Sequence, residues 1–237
     1  MSNNTAQQPD LKTMQEKLAG YLAPSGWRDK LKTFILSGDF EQILLGLLEM
    51  SSRGERFTPP LKHIFRCFAE CPYNDLKIVF VGPGPYQTLL QDGDALAHGL
   101  LYSHKKTDVP ADWVKWENKE FREAAGNKTH YPDLTSWANQ GVLLLNSALT
   151  ATIDSETGHY DLYKSFTAFV LDTLNSLNQG LVFVFIGPEA TGFSELIDTK
   201  RHFVYTIPKV TLANNLSYIF GQIDGKLHDH YKTTINW

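Results

Sequence analysis

Four short apolar runs interrupt the chain and predict the strands of a buried sheet. They span residues 78–81, 142–145, 181–186 and 203–207, and each is followed by Gly, Asn or Pro. Between them, apolar residues recur every three or four positions, which predicts helices. Strands that alternate with helices indicate a three-layer α/β/α fold, with a central four-stranded, mainly parallel sheet and helices on both faces.

The predicted helices span residues 11–22, 27–36, 40–50, 61–69, 109–125, 134–140 and 163–177. In the helix 109–125 we expect Trp113 and Trp116 to pack on the core. The 237 residues, 42% of them hydrophobic, suffice for a full core, and no linker or repeat interrupts the chain after Trp27. We therefore predict a single domain over residues 25–237, preceded by a partly helical extension over residues 1–24.

Composition excludes several classes of protein. The net charge of −4 gives no bulk attraction for nucleic acid, so contact with DNA would need a local basic face. Cys67 and Cys71 lack a second pair for a zinc site and are predicted to pack in the core, while His228, Asp229 and His230 are too close in sequence to complete a metal site. Without a membrane-length apolar run or a signal peptide, we expect a soluble intracellular protein, cytoplasmic in a bacterium or phage and nuclear in a eukaryote.

Side chains with binding chemistry follow two of the predicted strands. Tyr86 and Gln87 come after the Gly-Pro-Gly-Pro turn at residues 82–85, and Asn146 ends the second strand. The carboxyl ends of parallel strands meet at one edge of a sheet, where α/β folds bind ligands. An amide both donates and accepts hydrogen bonds, as recognition of a base edge requires. Both patterns also fit simple turns, in which Gly-Pro breaks a strand and Asn ends one.

Several longer blocks together resemble the main uracil-DNA glycosylase family. They are FTPP at 57–60, KIVFVGPGPYQ at 77–87, AHGLLYS at 97–103, LTSWANQGVLLLNSALTA at 134–151, KSFTAFVLDTLN at 164–175 and IDTKRHFVYTIP at 197–208. Their order and spacing follow the family from about Trp27 to the C-terminus. The resemblance implies the fold of that family, whose members extrude uracil from DNA and cleave its glycosidic bond.

The resemblance also implies a divergent member that lacks the family's catalytic Asp and His. The family motif Gly-Gln-Asp-Pro-Tyr-His is GPGPYQ here, so Gly84 stands at the aspartate, Pro83 at the glutamine and Gln87 at the histidine. A second family histidine, after the last strand, has no counterpart in IPKVTLANN at 207–215, where Lys209 falls at or beside its position. Glycine supplies no base or charge and proline no N–H, so we expect the catalytic site to be degenerate.

Other family positions are retained and imply a base pocket that includes Pro83. Tyr86 matches the tyrosine that excludes thymine, Tyr102 the aromatic ring on which uracil stacks, and Asn146 the amide that recognises the base edge. A stacking ring and an amide could bind a base without hydrolysis. The alternative is that these side chains only pack the domain.

The loops that would contact DNA also depart from the family pattern. The implied positions are Pro59, Pro60, Gly187, Pro188, Thr211 and Leu212. Pro188 replaces a serine that binds phosphate in the family, and Leu212 is the candidate for an intercalating wedge in a rewritten loop. An insert at residues 88–96 adds Asp92 and Asp94, which would repel phosphate near the pocket.

The sequence therefore predicts a catalytically inactive homologue that works by binding. Its partner would be a replication or repair protein, as in a viral DNA-processing assembly, or uracil-containing or single-stranded DNA held weakly without excision. One alternative is an active but divergent glycosylase or base-modifying enzyme that uses Lys209. Another is a decoy that occupies the inhibitors or partners of the glycosylase. No cofactor, metal or membrane is expected in any of these cases.

Overall fold

Four parallel strands form the centre of the protein. A computed structural model describes residues 10–105, 112–127, 131–155, 158–207 and 212–237. The strands are β1 (Phe57–Thr58), β2 (Ile78–Gly82), β3 (Val142–Asn146), β4 (Ala151–Thr152), β5 (Val182–Ile186) and β6 (Phe203–Ile207). The central sheet has the order β3-β2-β5-β6, and every residue of β2, β3 and β5 is buried. Strands buried on both faces are typical of a sheet between two helical layers, and the predicted three-layer fold is confirmed.

The helices lie around this sheet. They are α1 (Leu11–Gly20), α2 (Arg28–Ile35), α3 (Gly38–Ser52), α4 (Arg66–Glu70), α5 (Asp112–Ala124), α6 (Thr135–Ala138), α7 (Tyr160–Leu177), α8 (Pro188–Thr191) and α9 (Leu212–Lys226). The predicted helix at 61–69 is wrong as a single element, because a 3₁₀ turn at Leu61–His63 precedes α4. The break between them lets the adjacent Ile64 and Phe65 both face the core.

Helix α9 was not predicted from the sequence. Its residues Asn214, Asn215, Gly221 and Gly225 have low helix propensity, which masks the pattern. Buried apolar residues nevertheless recur at helical spacing along it, namely Leu216, Ile219, Phe220 and Ile223. Packing of this face against the core stabilises the helix where propensity alone does not.

Two further predictions concern individual core residues. Cys67 and Cys71 are buried free thiols, as predicted. Trp116, by contrast, is 47% exposed, so its predicted core position is wrong. The buried face of α5 is formed instead by Val114 and Phe121, which are spaced to lie on one side of the helix. The side chain of Trp113 lies outside the described part of the chain.

Short β1 pairs antiparallel with β4, with Phe57 opposite Thr152 and Thr58 opposite Ala151. This pair was not predicted, because two residues are too few to show the alternation of a strand. The pair joins the loop at 57–60 to the segment that follows β3. It therefore fixes that loop near the carboxyl edge of the sheet.

The N-terminal helix shares the core with the rest of the chain, since Leu18, Ala19 and Leu22 are buried in the same cluster as the strands. The domain boundary after residue 24 stays a prediction. No helix in the described ranges is long and apolar enough to cross a membrane.

A cluster of phenylalanine rings packs between α7 and the N-terminal helices. The Phe166 ring centroid lies 5.5 Å from that of Phe34, 6.1 Å from Phe40, 5.6 Å from Phe65 and 6.2 Å from Phe68. Because aromatic pairs add to the energy of burial, Phe166 is the side chain that this cluster depends on most.

We predict that Phe166→Ala lowers the free energy of unfolding by about 3–5 kcal/mol, since the cavity left inside the cluster cannot close fully. Urea unfolding followed by circular dichroism measures the change. Leu177→Ala, at the 58% exposed end of the same helix, is the control and should cost no more than about 0.5 kcal/mol. Equal losses for the two variants would contradict this account of the core.

Candidate functional site

The ends of β2 and β3 place the first site residues side by side. Gly82 is the register partner of Asn146, and the Ser147 N–H donates to the Gly82 carbonyl over 2.9 Å. A side chain at position 82 would collide with Leu101, because a Cβ there would overlap Leu101 Cδ1. Glycine therefore lets the loop before Tyr102 approach the strand ends.

A cavity of about 190 Å³ opens at this edge of the sheet. Six residues predicted from the sequence line it, namely Pro83, Gly84, Tyr86, Gln87, Tyr102 and Asn146. Tyr86, Tyr102 and Asn146 are 7%, 3% and 4% exposed, so their side chains form its inner wall. The structure brings these six together, while their individual roles stay predictions.

Helix α5 holds the Tyr102 ring in place. Tyr102 has a left-handed backbone with φ of 55°, which is uncommon for a bulky residue. The Asn118 side-chain amide donates to the carbonyls of Tyr102 and Pro132, and the Phe121 ring centroid lies 5.0 Å from that of Tyr102. These contacts offset the local strain, and the ring faces the pocket as a consequence of α5 packing.

Position 84 brings only backbone to the pocket. The Gly84 N–H donates to the Tyr160 hydroxyl over 3.1 Å. A Cβ at this position would lie 3.5 Å from that hydroxyl and 3.9 Å from Ala148 Cβ. Burial, opposed by the Gly84 hydrogen bond, raises the pKa of Tyr160, so its hydroxyl is neutral near pH 7. A neutral phenol therefore stands where a longer side chain at 84 would extend.

The sequence interpretation missed one polar pocket residue, Glu117. Its side chain lines the cavity from α5, and burial raises the pKa of its carboxyl to about 7. After burial, the Glu117 charge is the next cause that raises the pKa of both Tyr86 and Tyr102. The sequence does contain a pattern that predicts its position. Glu117 comes three residues after Val114 and four before Phe121, which puts it on the same face of the helix as these two buried residues.

Beside this pocket lies a second cavity, of about 240 Å³, with basic walls. Lys62, His63 and Lys105 line it, and burial, Lys62, Arg66 and Lys105 lower the pKa of His63. We call this cavity the basic groove. Ala97 lines both cavities, so the two adjoin.

The acidic insert and the proline loop also border the basic groove. Asp94 lines the groove and not the base pocket, and Pro60 lines it from the other side. Pro59 follows Thr58 through a cis peptide bond. Asp92 is not among the lining residues of either cavity. Of these three carboxylates, that of Glu117 on α5 lines the first cavity, and those of the insert do not.

The remaining predicted loop residues are only partly described. Gly187 has φ of 87° and donates its N–H to the Ile207 carbonyl over 2.8 Å, which places Pro188 as the first residue of α8. Neither residue lines the base pocket. Lys209 and Thr211 lie outside the described residues, and for Leu212 only the helical backbone is described.

His228 and Asp229 form an exposed pair, 3.2 Å apart, next to His230. Across the residues with a described structure, no group of three or more His, Cys, Asp or Glu side chains could hold a metal ion.

The fold and the pocket place the protein in one structural class, α/β/α proteins with a concave pocket at the carboxyl edge of a parallel sheet. Comparison with known proteins gives the family. A uracil-DNA glycosylase of Borrelia duttonii is 31% identical over 220 residues, covering 89% of this chain and 96% of that protein. A uracil-DNA glycosylase of Actinobacillus succinogenes is 30% identical over 225 residues, with 89% and 96% coverage. The chain belongs to the uracil-DNA glycosylase family.

Solved structures agree on the fold. Mimivirus uracil-DNA glycosylase superposes with a TM-score of 0.81 at 22% identity, covering 97% of this chain and 91% of that one. A variant of the mimivirus enzyme, solved in complex with UGI, gives 0.76 at 23% identity with 89% and 87% coverage. No family model matches the chain.

We predict that Glu117 makes stability depend on pH. Its carboxyl pKa rises from an ordinary 4.5 to about 7 on folding, so the folded state binds the proton more tightly than the unfolded state. Stability is therefore highest below the ordinary pKa and falls as the pH rises through the folded pKa. Relative to Glu117→Gln, the free energy of unfolding of the natural chain should fall by up to about 3 kcal/mol across that window.

Urea unfolding of both proteins at pH 4.5, 6 and 8 measures this difference. Glu123→Gln is the control, because Glu123 lies on the same helix with a side chain 49% exposed. A difference between the natural chain and Glu117→Gln that does not change with pH would contradict the buried position of this carboxyl.

Proposed function

We propose that this protein binds DNA and holds an extruded base in the pocket without cutting its glycosidic bond. The observation that carries the proposal is the composition of the cavity. It contains an aromatic ring, Tyr102, and an amide, Asn146, while Gly84 contributes only backbone. The first two groups can bind a base by stacking and hydrogen bonding. The third offers no charge to a reacting sugar.

The basic groove supports contact with DNA. Lys62 and Lys105 lie at a cavity that adjoins the base pocket through Ala97. Such a local cluster can bind phosphates although the net charge of the whole chain is −4. A strand whose backbone lies in the groove could place one base in the pocket.

The replaced residues support the absence of cleavage. In the family, the aspartate at the position of Gly84 stabilises the cationic sugar, and the glutamine amide at the position of Pro83 binds the uracil carbonyl. Loss of one preorganised group of this kind typically costs about 10²–10³ in rate, and this chain departs from the family at both positions. The Tyr160 hydroxyl next to Gly84 is neutral and does not replace the carboxylate.

One observation favours a second candidate function, a divergent base-excising enzyme. The Glu117 carboxyl lines the same cavity, and a pKa of about 7 suits general acid or base catalysis. After burial, its charge raises the pKa of Tyr86 and Tyr102, the rings expected to contact the base, whereas the charge that raises the pKa of the Tyr160 phenol beside Gly84, again after burial, is that of Glu189. We therefore rank this function below binding.

A single-turnover assay decides between these two functions. With protein in excess over an oligonucleotide that contains one uracil, we expect no abasic sites, detected by alkaline strand cleavage, because Gly84 brings only backbone to the position where the family has a carboxylate. An active relative in parallel serves as the positive control. Prompt abasic-site formation that is lost in Glu117→Gln would overturn the binding proposal in favour of the enzyme.

The variant Gly84→Asp extends this assay. We expect it to stay inactive, because its carboxylate would abut the Tyr160 hydroxyl while Pro83 still lacks an N–H. Excision by this variant at the rate of the active relative would contradict the account of a site degenerate at more than one position.

We predict that Lys62→Ala weakens DNA binding to a similar extent for all sequences and lowers the slope of log affinity against log salt concentration by about 1, as loss of one phosphate contact requires. Fluorescence anisotropy between about 50 and 200 mM salt measures the slope. Over this range each phosphate contact changes the affinity by roughly half a decade. Lys30→Ala is the control. Lys30 is on α2, its ammonium lies over the Tyr73 ring, and it does not line the groove. Equal slopes for the natural chain and Lys62→Ala would remove the groove from the proposal.

Comparison of affinities separates DNA binding from protein binding. If duplexes with and without an extruded base bind equally weakly, the pocket is not used. The protein partner of replication or repair expected from the sequence would then be the better hypothesis.

A further inference from the structure

Three polar side chains in the base pocket have no hydrogen-bond partner within the described part of the chain. They are the Tyr102 hydroxyl, which is fully buried, and the Glu117 carboxyl and Asn146 amide, which line the cavity and are open to it. Asn146 and Tyr102 are more than nine-tenths buried. The Glu117 carboxyl and the Asn146 amide face one cavity without a hydrogen bond from a described residue, so both are available to a polar ligand in that cavity.

Asn146 alone does not decide which base edge this ligand presents. A side-chain amide carries an acceptor oxygen and donor nitrogen that exchange places when the group turns over. No hydrogen bond from a described residue fixes the Asn146 amide in one orientation. It can therefore face the N–H and carbonyl edge of uracil or the nitrogen and amino edge of cytosine.

Glu117, unlike Asn146, cannot exchange a donor for an acceptor by turning over. An ionised carboxylate accepts hydrogen bonds and donates none. Facing the carbonyl oxygen of uracil or thymine, it would place lone pairs against lone pairs. Facing an exocyclic amino group, it gains a charge-assisted hydrogen bond, which is the contact that acidic side chains make with cytosine.

The position of Glu117 is also fixed. The next residue on α5, Asn118, is buried and anchors the carbonyls of Tyr102 and Pro132. The carboxylate and the Tyr102 ring are thus held by one helix. This arrangement gives the pocket a preorganised acceptor next to its aromatic wall.

We propose that Glu117 makes this pocket select a base with an exocyclic amino group, and that its ligand is cytosine extruded from DNA in preference to uracil or thymine. The inference rests on the proposed function, because it assumes that an extruded base enters the pocket. In this inference Glu117 determines which base binds, and the Asn146 amide adopts whichever of its two orientations matches that base.

Protonation of Glu117 changes this selectivity. Among the described residues that line the pocket, the other titratable groups are the phenols of Tyr86, Tyr102 and Tyr160, and burial raises the pKa of each, so all three are neutral near pH 7. Within that described lining, Glu117 is the group that changes charge in this range. A protonated carboxyl donates one hydrogen bond and accepts another, and would tolerate the uracil carbonyl. We expect discrimination to be strong at pH 8 and weak at pH 6.

The test compares four DNA duplexes that carry cytosine, uracil, thymine or no base opposite an abasic site. The opposing gap removes differences in the cost of opening a base pair. Fluorescence anisotropy at one fixed salt concentration measures each affinity. For the natural chain at pH 8 we expect cytosine to bind about 10-fold more tightly than uracil, the size of one well-placed base contact. At pH 6 the ratio should approach 1.

Glu117→Gln is the diagnostic variant. Its amide has nearly the same shape but can donate as well as accept, so the preference for cytosine at pH 8 should fall to within about 2-fold. Glu123→Gln removes one charge from the same helix at a half-exposed position and should keep the full preference. Thermal unfolding of both variants checks that they are folded, and the pH comparison uses the natural chain alone.

The outcomes separate this inference from the proposed function. If uracil binds as tightly as cytosine at pH 8, or if Glu117→Gln keeps the preference, the role of Glu117 is wrong while base binding stands. If all four duplexes bind equally, the proposed function itself fails.

Discussion

The site depends on the parallel pairing of β2 with β3. This pairing sets Gly82 beside Asn146, and the Ser147 N–H to Gly82 carbonyl hydrogen bond extends it by one residue past the strand ends. Parallel strands end at a common edge, so the turn after β2 and the amide after β3 meet there without any further device. The absence of a side chain at Gly82 then admits Leu101, and with it the Tyr102 ring. The pocket is in this sense a consequence of strand register.

Helix α5 gives this pocket its second wall and its chemical character. Asn118 holds the backbone of Tyr102 in a left-handed conformation, and Glu117 directs a carboxylate into the same cavity. Gly84 brings no charge to the cavity, and the carboxyl that lines it comes from Glu117. In the function that we propose, this carboxyl selects a base and does not act on a sugar.

Much of this arrangement could be predicted from the sequence. The four central strands, most helices and the grouping of Tyr86, Tyr102 and Asn146 follow from apolar periodicity and from motif blocks, which are local signals. Errors arose where local signals are weak. Helix α9 contains four poor helix formers, β1 and β4 have two residues each, and Trp116 is a large apolar residue on an exposed helix face. In each case tertiary packing decided what propensity could not.

The sequence by itself determined the family, the three-layer fold and the residues at the strand ends. These features depend on motifs, strand patterns and turn residues, which are runs of neighbouring positions. Only the tertiary structure decided that Glu117 enters the pocket, that the Tyr160 hydroxyl lies against Gly84, and that Asp94 borders the basic groove instead. These facts join residues that are distant along the chain. The side of a helix that faces a pocket is known only once the helix is packed, and Glu117 lies on such a side of α5.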